Sequence, residues 1–118
     1  MQFAEIVGQR QLINSLIKTV EEGRVPHAQL FAGAEGNGTF ALVLAYSQFI
    51  SCQNKQYYNT DSENELRADS CGKCPSCLKY KRLAHPDLHF VFPNTTTKNV
   101  DKNNESALFM DLFREFVE

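Results

Sequence analysis

Several things that would tie a chain to a membrane, to the cell exterior or to nucleic acid are missing from these 118 residues. The formal net charge is −2, so no bulk positive field draws the chain to nucleic acid or to an anionic bilayer. The basic cluster Lys79-Tyr80-Lys81-Arg82 is local and reads as a solvated helix face. The longest apolar stretch, Phe40 to Tyr46, falls far short of the roughly 20 residues a membrane-spanning helix needs. The start, Met1-Gln2-Phe3-Ala4-Glu5, has neither the basic opening nor the apolar run of a secretory signal. These absences point to a cytoplasmic chain with no membrane partner, where cysteine serves metal or redox chemistry more often than structural disulfides.

One more absence is chemical. In Gly33-Ala34-Glu35-Gly36-Asn37-Gly38-Thr39-Phe40 the glycines of the phosphate-binding pattern G-x-x-x-x-G-K-[ST] stand at the right spacing. That pattern wraps phosphates in backbone N–H groups, reaches the outer phosphates with its lysine and holds magnesium with its hydroxyl. Here Thr39 takes the lysine position and Phe40 the hydroxyl position. The shape of a phosphate cradle is kept while its charge and its metal ligand are gone. ATP is therefore not expected to be turned over, although backbone N–H groups at a helix N-terminus can still attract an anion. Phe40 itself reads as a core residue of the following helix.

What is present is enough for one modest core, with 42% apolar and 22% charged residues. Leu12, Ile13, Leu16, Ile17 and Val20 form one apolar stripe on a helix predicted from Gln9 to Glu22, with Gly23 placed as a left-handed cap. Ala28 to Ala32 is predicted as a strand that feeds the glycine loop. Thr39 to Ser51, apolar on most sides, is predicted as a helix buried against a sheet. Gln53 to Ser70 is polar, and only Tyr57, Tyr58, Leu66 and Ala68 are candidates for burial. Such a stretch cannot build a core alone and needs an external anchor. Pro75 suits the first turn of a helix running to about Ala84, ahead of His85-Pro86-Asp87. A second strand is expected from Asp87 to Phe92, then a polar loop from Pro93 to Asn104. A last helix from about Glu105 places Leu108, Phe109, Leu112, Phe113, Phe116 and Val117 on one stripe. Two strands and a few helices make an incomplete α/β layer, because parallel strands need both faces covered. The expectation is a piece of a longer chain, able to self-associate through its exposed edges.

The cysteines supply the anchor. Cys71, Cys74 and Cys77 form C-x2-C-x2-C, and Cys52 closes the preceding helix. Tight C-x2-C turns bring two thiolates to one ion, and a fourth completes the tetrahedron that structural zinc prefers. A closed four-sulfur shell leaves no open position, so the metal is expected to be structural and not catalytic. It would pin Gln53–Ser70 at both ends and supply roughly 10 kcal/mol or more of apparent folding free energy. Iron–sulfur ligation and a redox C-x-x-C use similar spacings, and His85 is an alternative to Cys52 as fourth ligand.

Phe3-Ala4-Glu5-Ile6-Val7-Gly8-Gln9, then Gly23-Arg24-Val25-Pro26-His27-Ala28, the glycine loop, the four cysteines and His85-Pro86-Asp87 occur in an order that resembles the clamp-loader subunits of bacterial DNA polymerase III, in the AAA+ superfamily. The resemblance covers about residues 3–92 and is specific as a set. It implies an α/β P-loop domain of parallel-sheet type, incomplete over residues 1–118, with a zinc-binding insertion at 52–78. It implies Cys52, Cys71, Cys74 and Cys77 as zinc ligands and no catalytic residue. Thr39 and Phe40 depart from the motor (gamma/tau) branch and look like the non-catalytic delta-prime branch, so Gly33, Gly36, Gly38, Thr39 and Phe40 would form a degenerate nucleotide loop. The implied role is to help load the sliding clamp in DNA replication. The implied partners are the gamma/tau and delta subunits and, through the complex, the sliding clamp and primed DNA. Two other functions fit the same residues: a gamma/tau-type ATPase with an atypical loop, and a zinc module that binds DNA directly through Lys79, Lys81 and Arg82.

Overall fold

A computed structural model describes residues 1–34, 36–62 and 64–91 of the chain. Met1–Arg82 forms one compact unit and Leu83–Glu118 a second. In the first, a short 3-10 turn (Phe3–Glu5) precedes α1 (Arg10–Glu21) and α2 (Thr39–Ser51). A hairpin of two-residue strands, β1 (Gln56–Tyr57) and β2 (Ala68–Asp69), and α3 (Pro75–Lys81) follow. The strands pair antiparallel, Gln56 opposite Asp69 and Tyr57 opposite Ala68.

The first two helices form where the apolar spacing places them. Helix α1 buries Ile13, Leu16 and Ile17, while Leu12, at the margin of the stripe, is exposed. It ends in the predicted glycine cap. Gly23 takes φ +65, its N–H donates to Val20 O at 3.1 Å, and Arg24 N–H donates to Thr19 O at 3.0 Å. Helix α2 buries Leu42, Leu44, Ala45, Tyr46 and Phe49, and Cys52 takes over as its C-cap. Phe49 meets Phe3 with ring centroids 5.5 Å apart, and both rings are fully buried. Burial of an aromatic ring of this size stabilises by roughly 1.5–3 kcal/mol relative to exposure. Ala68 of the hairpin completes this core with Ile13 and Ile17.

Several expectations are corrected. Ala28 to Ala32 forms no strand, and neither does Asp87 to Val91. A strand exists only with a ladder partner, and among the described residues none lies beside either segment. The parallel P-loop sheet is accordingly not formed by the described residues. Phe40 is not core: it is 43% exposed, on the side of α2 away from Leu42 and Phe49. Helix α3 stops at Lys81 instead of near Ala84, as Leu83 adopts a left-handed φ of 55°. The final helix from Glu105 and the loop before it lie outside the described residues. Among those residues no helix is long and apolar enough to cross a membrane.

Candidate metal centre and glycine loop

The four cysteines come from three places: the cap of α2, the end of the hairpin and the first turn of α3. Their sulfurs lie within 4.8 Å of one another. Cys52 Sγ is 3.7 Å from Cys71 Sγ, and Cys71 Sγ is 3.9 Å from Cys77 Sγ. A tetrahedral ion with metal–sulfur bonds of about 2.3 Å, the length typical of zinc, has sulfur–sulfur edges of about 3.8 Å. The spacing fits that tetrahedron. It is far too long for a disulfide, and all four thiols are unpaired. Sulfurs this close could hold one ion and leave no room for a multi-iron core. The set contains Cys52 and no histidine. The Nδ1 of His85, the alternative ligand, accepts the backbone N–H of Asp87 at 3.1 Å.

Backbone N–H groups are aimed at the sulfurs. Asn54 and Cys71 donate to Cys52 Sγ at 3.4 and 3.3 Å. Lys73 and Cys74 donate to Cys71 Sγ at 3.4 and 3.2 Å, and Cys77 donates to Cys74 Sγ at 3.5 Å. Such donors favour thiolate over thiol. The last of these bonds makes Cys74 the N-cap of α3, with Pro75 in the first turn as predicted. Gly72 turns the chain between Cys71 and Cys74 with φ +73.

Burial then divides the four. It pushes the thiol of Cys77 up to about 12, and it raises Cys52 as well. Lys73 N–H lowers Cys71. For Cys74, burial again pushes upward, but the N–H groups of Gln53 and Cys77 together with the neighbouring thiols outweigh it and bring the group to about 6. The two outer cysteines also line an open cleft of about 490 Å³ with Asn54, Gln56 and Lys73. Lys79 and Lys81 on α3 and Arg82 at its C-cap are exposed while Tyr80 is buried, as a solvated face requires. The Tyr80 hydroxyl lies 3.1 Å from Ser51 Oγ of α2.

The polar stretch before Cys71 is anchored by groups that sequence patterning does not reveal. Asn14 on α1 is buried and spans the hairpin, its Nδ2 donating to Glu65 O at 2.9 Å and its Oδ1 accepting Arg67 N–H at 3.1 Å. Asp69 is 1% exposed and accepts three backbone N–H groups, from Phe3 at 2.9 Å, Ala4 at 3.0 Å and Ser70 at 2.8 Å. Gln48 of α2 donates to Ser70 Oγ at 3.0 Å and accepts from the N-terminal ammonium at 2.8 Å. Of the apolar candidates in this stretch, Ala68 is buried, whereas Tyr57 and Tyr58 are exposed.

In the glycine loop, Gly36 and Gly38 both have positive φ, +88 and +73, and Gly38 is the N-cap of α2. This backbone needs glycine. At Gly33 the constraint is contact: an added Cβ would sit 2.6 Å from Thr39 Oγ1. The side chain at the lysine position therefore folds back onto the loop. Beside it, a cleft of about 300 Å³ runs between α1, the segment 29–32 and the start of α2, and none of its described lining residues is cationic. Val7, just before the segment that reaches the loop, is 95% exposed. Gln9 reaches the loop, Nε2 donating to Asn37 O at 2.9 Å.

Comparison with known proteins follows the same line. The family described as DNA polymerase III, delta subunit, matches residues 8–113. The delta' subunit of DNA polymerase III from Escherichia coli is 28% identical over 103 residues, 87% of this chain and 25% of that protein. The delta' subunit from Bacillus subtilis is 29% identical over 86 residues, 73% of this chain and 23% of that protein. The tau subunit from Salmonella typhimurium is 27% identical over 99 residues, 84% of this chain but 14% of that protein. The chain thus spans about a quarter or less of the length of these relatives. No solved structure matches it. With the family match running over most of its residues, the chain belongs to the DNA polymerase III delta-subunit family.

Proposed function

We propose that this chain is part of a delta-prime-type clamp-loader subunit, non-catalytic in its own right, that helps load the sliding clamp in DNA replication. In this reading residues 52–78 are a structural zinc module inside an AAA+ P-loop domain. Its partners are the gamma/tau and delta subunits and, through them, the clamp and primed DNA.

The observation that carries the reading is the chemistry of the loop. Thr39 supplies no ammonium group for the outer phosphates of a nucleotide, and Phe40 supplies no oxygen for magnesium. Thr39 Oγ1 instead packs over Gly33. A cradle that concentrates negative charge without a counter-charge holds the outer phosphates of ATP poorly. A gamma/tau-type ATPase is the second reading, favoured by the comparable identity to tau. Phosphate release from Mg-ATP by the purified full-length protein separates the two. The delta-prime reading expects no turnover above the buffer rate, and steady turnover would replace it with the ATPase.

For the cysteines, the convergence of four sulfurs at tetrahedral spacing supports zinc bound by Cys52, Cys71, Cys74 and Cys77. The closed shell gives the ion a folding role. Metal analysis is expected to return about one zinc per chain. Cys74→Ser should lower that occupancy and the melting temperature together, and a fully folded, metal-free chain would refute the assignment.

A further inference from the structure

The described residues link the cysteine module to the glycine loop by an unbroken series of contacts. The series starts at Asp69 and Ser70, the two residues before Cys71. Asp69 holds the N–H groups of Phe3 and Ala4, and Ser70 O accepts from Gln2 Nε2 at 2.6 Å. Gln2 also lies over Gly72 in the turn between Cys71 and Cys74, close enough that a Cβ there would meet its amide at 3.1 Å. The 3-10 turn held this way presents Phe3 O to Arg10 Nη1 at 3.1 Å, which ties it to the start of α1. Gln9, the residue before α1, then closes on Asn37 O.

We propose that the cysteine module is a strut for the N-terminal segment, and that through this segment it fixes the conformation of the glycine loop, with Asp69 and Gln9 as the positioning residues at its two ends. Hydrogen bonds set this shape where nucleotide is not expected to set it. A buried carboxylate leaves water only where its acceptor sites are filled, and Asp69 fills them with the segment it positions. Once the module is rigid, the 3-10 turn has one docking position, and Gln9 is carried to within reach of the loop. The strut rests on the metal reading only in that the ion makes the module rigid; its contacts are the chain's own.

Amide hydrogen exchange on the full-length protein tests it, with zinc content measured on the same samples. Asp69→Asn is expected to keep about one zinc per chain while exchange accelerates roughly tenfold at Phe3 and Ala4 and also at Asn37. Gln9→Ala, at an exposed side chain, is expected to accelerate Asn37 and leave Phe3 and Ala4 unchanged. Chelation of the wild type should accelerate both segments. Acceleration confined to Phe3 and Ala4 in Asp69→Asn would reduce Asp69 to a local cap and overturn the strut. If Asp69→Asn loosens α1 to α3 uniformly, Gln9→Ala decides, and an unchanged Asn37 there overturns it as well. A wild type without zinc would count against the metal reading alone, since both variants still test the hydrogen-bonded route.

Discussion

Cys74 and Cys77 are three positions apart and hold their protons very differently, one near 6 and the other near 12. Burial acts on both. The difference lies in what compensates it: at Cys74 backbone N–H groups and neighbouring thiols prevail, while at Cys77 the adjacent thiols add to the upward push. At pH 7 the metal-free chain therefore holds Cys74 as thiolate and Cys77 as thiol, with Cys52 raised alongside it. Ligation requires every sulfur to be deprotonated, so ion binding must expel the protons of the two buried thiols. We expect at least about two protons released per zinc at pH 7, those of Cys52 and Cys77, read as a dependence of calorimetric heat on the ionisation enthalpy of the buffer. The sign follows directly. Protons are bound in the free state and absent in the bound state, so affinity rises with pH. Below about 6, where Cys74 protonates as well, it falls more steeply. Heat independent of the buffer would contradict this protonation pattern.

Between elements, single residues fix how the module meets the rest of the fold. Gly72 is the clearest case. Its φ of +73 is strained for any other L residue, and a Cβ would press on the Gln2 amide. Gly72→Ala should cost about 1–2 kcal/mol and weaken retention of the ion against a chelator, whereas Gly23→Ala, with open space around it, should leave metal retention unchanged. The cysteine spacing, α2 and the glycine cap of α1 were legible in the sequence because each depends on neighbours a few positions away. Asn14, Gln48 and Asp69 were not. Each is a polar residue whose partners lie far along the chain, Asp69 being 66 positions from Phe3, so periodicity carries no trace of them. Asn14 sits next to Ile13 on the apolar face of α1, and the only sequence hint is a polar residue close to a stripe. The strand expected at 28–32 shows the opposite limit. Its composition was favourable, but a ladder is a property of two segments, and the described residues provide one.

For the molecule as a whole, the first unit needs its cysteine module as a structural part. Without it the core around Phe3, Ile13 and Phe49 would lose Ala68, and the N-terminal segment would lose the partners of its N–H groups. The glycine loop is preserved in outline inside this unit, with Gly36 and Gly38 in left-handed conformations and α2 beginning where a phosphate-binding helix should. Under the proposed function, its glycine geometry and altered side chains fit a clamp-loader subunit that gives up nucleotide chemistry. Binding of Mg-ATP to the full-length protein, followed by isothermal calorimetry, tests this most directly. The account predicts no saturable heat through the micromolar range. A micromolar dissociation constant with one site per chain would contradict it.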